Sequence, residues 1–133
     1  MANLPKEVKD LLAPGAAPFK VIGTADSEGT PHTILLGSLM AIDDETLAFA
    51  VVAAKTTTNN LKTTKKASIV VYKPPMEGYR IEGTYHSFQD SGPLFDTFTE
   101  ELKKMNLPCN GVVLLKVDGV YVLGSPEPGK KIA

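Results

Sequence analysis

The chain has 133 residues, of which 43% are hydrophobic and 22% charged, as expected for one globular domain with its own core. Its 14 basic and 15 acidic side chains give a net charge of -1, which argues against a nucleic-acid partner or an anionic lipid surface. No apolar run approaches the roughly 18 residues of a membrane-spanning helix, and the N-terminus lacks the apolar core of a secretion signal.

The first half of the chain predicts one helix followed by an antiparallel meander. Residues 1–13 contain the helix, because LPKEVKDLLA places its apolar side chains on one face: Leu4, Val8, Leu11 and Leu12. Three strands follow, PFKVIGTAD (18–26), PHTILLGSLMAI (31–42) and LAFAVVAA (47–54). The turns DSEGT and DDET between them are short, and short loops join antiparallel neighbours.

The second half predicts two more helices and three more strands. A short helix lies in the polar block after residue 54, and ASIVVYK (67–73) and GYRIEGTYHSF (78–88) are strands. Gly83 indicates a bulge or a close backbone approach in the second of them. DSGPLFDTFTEELKKMN (90–106) is a helix with Ser91 or Asp90 as its cap and Pro93 in its first turn.

The final strand, VVLLKVDGVYVLG (112–124), is apolar on both alternating sets over VVLLKV. A strand of this kind is typically covered on both faces, here by a second subunit, and the tail 125–133 is expected to be loose. Six strands with few helices and no internal linker favour a mainly β fold, one closed or split β-barrel domain over residues 1–133.

The polar block KTTTNNLKTTKK (55–66) lies between two apolar strands and allows three interpretations. It is a solvated helix face, a nucleic-acid patch or a phosphate site. The nucleic-acid interpretation lacks aromatic platforms and a basic surface. A phosphate site fits KTTT at a helix start, because free backbone N–H groups, hydroxyls and an ammonium group all favour an anion.

No side-chain pattern predicts protein-supplied catalysis or a metal site. Cys109 is the single cysteine, without a base near it in sequence, and is interpreted as a structural thiol of a cytoplasmic protein. The two histidines, His32 and His86, have no metal-ligand spacing. The catalytic residues are therefore unknown, and a cofactor is expected to carry any reaction.

Four segments, in order, resemble the FMN-binding split barrel of the pyridoxamine 5′-phosphate oxidase superfamily, especially its short FMN-binding members. They are PHTILLGSLMAI, LAFAVVAAKTTTNNL, KKASIVVY and RIEGTYHSFQDSGPLFDTF, within residues 18–123. Lys65 and Lys66 replace the family's usual Asn-Pro. The resemblance implies a six-stranded antiparallel split β-barrel, homodimeric, with FMN at the subunit interface.

The resemblance also implies which residues contact the cofactor. Lys55, Thr56 and Thr57 would hold the FMN phosphate, and Gly37 and Ser38 would lie beside the ribityl chain. The ring would be bordered by five further residues: Leu35, Leu36, Val51, Val52 and Ala53. Lys62 to Lys66 are expected to form a solvated helix face.

The implied function is a redox flavoprotein, either a small FMN-dependent oxidoreductase or an electron carrier. The chain has one arginine, Arg80, and lacks the arginine-rich C-terminal segment of true pyridoxamine 5′-phosphate oxidases, so that activity is not expected. The alternatives are a related deazaflavin as cofactor and a cofactor-free binding module.

Overall fold

A computed structural model describes residues 2–124 and 126–133. The helices are α1 (Lys6–Leu12), α2 (Lys55–Thr64) and α3 (Pro93–Lys103). The strands are β1 (Phe19–Ala25), β2 (Pro31–Leu35), β3 (Met40–Ala41), β4 (Thr46–Ala50), β5 (Lys66–Lys73), β6 (Glu77–Gln89) and β7 (Val112–Val122). No helix in this described part of the chain is long and apolar enough to cross a membrane.

The strands form one antiparallel sheet in the order β2-β1-β5-β6-β7-β4-β3. The sheet curls around a core of fully buried side chains that includes Phe49, Ile69, Ile81 and Leu115. The mainly β fold, the antiparallel pairing and the split-barrel architecture expected from the sequence are therefore confirmed.

The number of strands is seven rather than six, because segment 31–42 is not one continuous strand. β2 ends at Leu35, and the Leu36 N–H donates to the Lys20 carbonyl oxygen at 2.7 Å. The chain then leaves β1, and Met40 in β3 pairs with Ala48 in β4. The predicted β1–β2 hairpin is confirmed, but the meander is wrong since β4 pairs mainly with β7, for example Leu47 with Leu115.

Both faces of β7 are covered within this chain, so the prediction that a second subunit covers this strand is wrong. Leu115 faces the barrel core. Val112 and Leu114, on the opposite face, pack in a second cluster with Phe98 and Leu102 of α3. The doubly apolar pattern therefore reports the docking of α3 and carries no information about a subunit interface.

Two local predictions about backbone geometry have opposite outcomes. The bulge is confirmed, because the β6–β7 register shifts between Glu82 and Gly83. The predicted cap of α3 is wrong, since Gly92 is the N-cap and no side chain caps the helix. Pro93 does occupy the first turn, as its fixed φ and missing N–H favour.

The C-terminal tail folds back on β7 instead of being loose, as far as residues 126–133 show; Ser125 lies outside the described residues. Lys131 forms a β-bridge with Tyr121. The Val120 N–H donates to the Ala133 carbonyl oxygen at 3.0 Å, and the Ile132 N–H donates to the Val120 carbonyl oxygen at 2.8 Å. Proline and glycine in the tail therefore form a turn that returns the chain to the sheet.

Candidate functional site

An apolar groove of about 530 Å³ lies beside the ends of β2, β4 and α3. We call it the apolar groove. It is lined by Ile34, Leu35, Leu36, Gly37, Ser38, Ala50, Val52, Ala53, Ala54, Leu102, Met105 and Leu107. None of these side chains is ionisable, so the groove suits an uncharged, flat, apolar group.

A hydrogen bond from the backbone to a side chain holds together two chain segments that form the groove. The Ala50 N–H donates to the Ser38 hydroxyl oxygen at 2.9 Å, which ties the end of β4 to the segment after β2. Gly37 directly precedes Ser38 in the segment after β2. No heavy atom lies within 4 Å of the position that a Cβ would take at Gly37. A ligand can therefore approach the backbone closely at Gly37.

The rim of the groove carries an unusual share of exposed apolar surface. The exposed fractions are 72% for Leu35, 61% for Met105 and 42% for Leu107. Large side chains of this kind are stabilised by contact with an apolar partner or ligand. The rim is therefore suited to contact with an apolar partner or ligand.

Helix α2 begins directly beyond the groove. Ala54, which lines the groove, is the N-cap of α2, and no side chain caps the helix. The Thr58 hydroxyl donates to the Ala54 carbonyl oxygen at 2.7 Å and so does not satisfy the first N–H groups. The free N–H groups and the positive end of the helix dipole make this start suitable for an anion.

A smaller groove of about 240 Å³ lies on the other side of the turn that leads into α2. We call it the lysine groove. It is lined by Val51, Val52, Ala53, Ala54, Lys55, Thr58, Asn59, Lys62, Phe88 and Asn110. It shares residues 52–54 with the apolar groove, and the Lys62 ammonium nitrogen lies 4.4 Å from the Phe88 ring centroid.

The ten site residues expected from the resemblance are distributed over this region unequally. Six line the apolar groove: Leu35, Leu36, Gly37, Ser38, Val52 and Ala53. Val51 and Lys55 line the adjoining lysine groove. Thr56 and Thr57 line neither groove, and all ten assignments to a cofactor stay predictions.

The three expected phosphate residues point in different directions, because successive helical residues are rotated by about 100°. Lys55 faces the lysine groove and Thr56 is exposed. Thr57 is fully buried, and its hydroxyl oxygen lies 3.3 Å from Nδ1 of His32. Their side chains therefore do not form one shared pocket, whereas their backbone N–H groups all belong to the first turn of α2.

His32 is a residue that the sequence analysis weighed only as a base or metal ligand. It lies on β2 opposite Thr24 of β1, beside the start of α2. Strand alternation places His32 and Ile34 on one face of β2. That alternation could have indicated that His32 faces α2, although no sequence signal pairs it with Thr57.

A third groove, of about 600 Å³, lies over β1, β2, β5 and β6 and has a different character. Its charged side chains include Lys66 and Asp118, which lie 3.6 Å apart, and the Lys66 ammonium group also donates to the Thr84 hydroxyl. Glu82 also lines it, and a hydrogen bond from Arg80 lowers the pKa of the Glu82 carboxyl group. These charges are matched within the protein, so this groove offers no unmatched charge for a ligand.

The described residues contain no cluster of three histidine, cysteine or acidic side chains that could hold a metal ion. The region combines an apolar groove with a helix start that suits an anion. It can bind and orient a flat group with an attached phosphate.

Comparison with solved structures shows the same fold in several proteins. HupZ of Group A Streptococcus matches with a TM-score of 0.83 and 21% identity, covering 98% of this chain and 99% of that chain. An FMN-binding protein from Syntrophomonas wolfei subsp. wolfei has a TM-score of 0.80 and 20% identity, covering 91% and 87%. An F420 reductase has a TM-score of 0.66 and 16% identity, covering 88% and 98%.

No curated protein sequence matches the chain significantly. At identities of this size the solved structures establish the fold alone. The sequence profile described as pyridoxamine 5′-phosphate oxidase, however, matches residues 4–122, nearly the whole chain. The match confirms the resemblance that the four segments indicated, and the chain belongs to the pyridoxamine 5′-phosphate oxidase family.

Proposed function

We propose that this protein binds FMN and uses it in redox chemistry, as a small oxidoreductase or an electron carrier. One observation carries the proposal: the apolar groove continues through residues 52–54 into the uncapped start of α2. A flavin mononucleotide needs this combination, a flat apolar slot next to a site for a phosphate dianion. The FMN-binding protein from Syntrophomonas wolfei, which has the same fold, supports the choice of cofactor.

The ring would lie in the apolar groove and the ribityl chain beside Gly37 and Ser38. Leu35 and Leu36 would border the ring, and the backbone of residues 51–53 would contact its polar edge. When bound, FMN supplies a ring that accepts and returns electrons. The protein's part is to orient the ring, exclude water from one face and tune it through nearby hydrogen bonds.

The phosphate would bind at the first turn of α2. Thr56 is exposed and can donate its hydroxyl, and Lys55 can add its charge from the adjoining groove. The Thr57 hydroxyl is buried against His32, so we propose that Thr57 contributes its backbone N–H. This refines the sequence-based prediction, in which all three side chains held the phosphate.

We also propose that the protein is a homodimer whose second copy covers the open side of the groove. The support is the exposed rim formed by Leu35, Met105 and Leu107, which a flavin and a second chain together would bury. Light scattering on the purified protein tests this proposal, with a mass near twice the 14.2 kDa chain expected. The lone thiol of Cys109 suits a reducing compartment, so we place the protein in the cytoplasm.

A deazaflavin is the second candidate cofactor. The F420 reductase shares the fold over 88% of this chain, and a deazaflavin mononucleotide unit would make the same demands, a flat slot and a phosphate site. Titration of the protein with FMN and with F420 distinguishes the two cofactors. A protein that binds neither would instead favour the cofactor-free module.

The phosphate site is tested by replacing Lys55→Ala and Thr56→Ala together. Charge-assisted hydrogen bonds contribute about 1.5–3 kcal/mol, so FMN affinity should fall by about 10-fold to 150-fold. Riboflavin, which has no phosphate, should bind the variant and the parent equally. Fluorescence titration measures both affinities.

The matched control is Thr63→Ala with Lys65→Ala, which removes the same side-chain types at the other end of α2. FMN affinity should be unchanged in this control. An equal loss of riboflavin and FMN affinity in the Lys55 and Thr56 variant would show that these residues act on the ring or on the fold. Absence of FMN binding by the parent would refute the proposed function itself.

A further inference from the structure

Lys20 is a buried lysine near the start of β1, with only 7% of its surface exposed. It forms no ion pair with any described residue. Its ammonium nitrogen donates to the Leu12 carbonyl oxygen at 3.2 Å and to the Leu39 carbonyl oxygen at 3.0 Å. Burial of an unpaired ammonium group costs stability, and it lowers the pKa of Lys20. The presence of a lysine at this buried position therefore requires a structural explanation.

The two carbonyl oxygens explain where the charge is stabilised. Leu12 is the last residue of α1, where carbonyl groups lack helical partners and the helix dipole is negative. Leu39 is the last residue of the link between β2 and β3. Lys20 therefore connects the C-terminus of α1 with this link.

The backbone of the same residue holds the other end of the link. The Leu36 N–H donates to the Lys20 carbonyl oxygen at 2.7 Å. Residue 20 thus fixes both Leu36 and Leu39, and the two residues between them line the apolar groove. One of these, Ser38, in turn accepts the Ala50 N–H at 2.9 Å, so the connection extends to β4.

We propose that Lys20 is a positioning residue for the apolar groove: its ammonium group holds segment 36–39 in the conformation that binds the ligand. As a statement about flavin affinity this rests on the proposed function; as a statement about the segment it does not. An apolar side chain would fill the same space at a lower desolvation cost. It would leave the Leu39 carbonyl oxygen without its donor and the segment free to shift.

The test compares Lys20→Met with Lys116→Met. Methionine keeps the unbranched shape and removes the donors. Lys116 is the matched control, because it is a half-buried lysine that donates one hydrogen bond, to the Thr46 hydroxyl at 2.7 Å, and it does not line the apolar groove. FMN affinity is measured by fluorescence titration, and amide hydrogen exchange is followed residue by residue on the ligand-free protein.

We expect Lys20→Met to bind FMN about fivefold more weakly, the net effect of losing the hydrogen bond to Leu39, which is the one that reaches segment 36–39. We expect Lys116→Met to bind FMN as the parent does. In Lys20→Met the amides of Leu36 and Ala50 should exchange at least about fivefold faster, while the core amide of Ile81 is unchanged. Faster exchange at Ile81 by the same factor would indicate general destabilisation and would overturn the proposal.

Unchanged exchange at Leu36 and Ala50 in Lys20→Met would also overturn the proposal. If the parent protein does not bind FMN, the proposed function fails, but the exchange measurement still decides the role of Lys20. If Lys20→Met does not fold, Lys20→Leu replaces it in both measurements, since leucine is neutral and shorter and has no donor group. Parent-like affinity and exchange in that variant would contradict the inference.

Discussion

Gly37 offers a way to fill the apolar groove without disturbing the fold. Its φ is not in the left-handed region, so other residues can adopt its backbone conformation. No heavy atom lies within 4 Å of its virtual Cβ, so a side chain there would project into the groove. Gly37→Ala should therefore leave stability unchanged or raise it by about 0.4–1 kcal/mol, the usual effect of removing backbone freedom from the unfolded chain.

A larger side chain at the same position should exclude the ligand. Overfilling a packed site costs about 1–3 kcal/mol, so Gly37→Leu should weaken FMN binding by about fivefold to 150-fold. Gly37→Ala should have a smaller effect. The affinities are measured by fluorescence titration and the stabilities by urea unfolding of the ligand-free proteins.

The two measurements separate the groove from the fold. If the flavin occupies this groove, FMN affinity should fall from the parent to Gly37→Ala and again to Gly37→Leu, while the stability of the ligand-free proteins does not fall. Parent-like affinity in Gly37→Leu would refute the assignment of the flavin to this groove. A stability loss in Gly37→Ala would show instead that the space beside Gly37 is not open.

Three further predictions concern the fold. Phe98→Ala should lower the free energy of unfolding by about 3–5 kcal/mol, since Phe98 is only 4% exposed in the cluster that covers β7; a loss below about 1 kcal/mol in urea unfolding would contradict the docking of α3. Gly124→Ala should lower the melting temperature, because the added Cβ would overlap the Met76 carbonyl oxygen; an unchanged melting temperature would refute this contact. Burial lowers the pKa of Lys20 below its value in the unfolded chain, so between these two pKa values the unfolded chain binds more protons and stability rises with pH. In urea unfolding the parent should therefore gain stability relative to Lys20→Met as the pH rises toward 10.5, the ordinary pKa of lysine, and a constant difference would show that this pKa is not lowered.

Local patterns predicted the elements that depend on local chemistry. The 3.6-residue repeat of α1, the turn residues between β1 and β2 and the Gly83 bulge all act through neighbours in sequence. The resemblance of four segments, taken in order, then implied the split barrel and named six residues that line the apolar groove. These features could be predicted because each follows from the residues in a short window and from their order along the chain.

The errors arose where residues distant in sequence decide the structure. Segment 31–42 is mostly apolar and was predicted to be one strand, but Lys20 and Ala50 form the hydrogen bonds that divide it after β2. The doubly apolar pattern of β7 was assigned to a second subunit, although α3 of the same chain covers it. A hydrophobic pattern predicts that a face is buried and does not name the element that buries it.

The sequence also could not predict the direction of each side chain at the start of α2. KTTT predicted a helix start, which the structure has at Lys55. Only the structure shows that Thr57 points inward to His32 while Lys55 points to a separate groove. The backbone of this turn, more than its side chains, is thus the feature that suits a phosphate.

Identification of the bound small molecule tests the central proposal most directly. The protein is purified without added cofactor and denatured, and the released material is examined by absorbance and mass spectrometry; the ligand-free protein is then titrated with FMN. We predict release of FMN or saturable FMN binding, with a flavin spectrum. A colourless protein that releases no flavin and ignores added FMN would contradict the proposal, and release of a deazaflavin would identify the alternative cofactor.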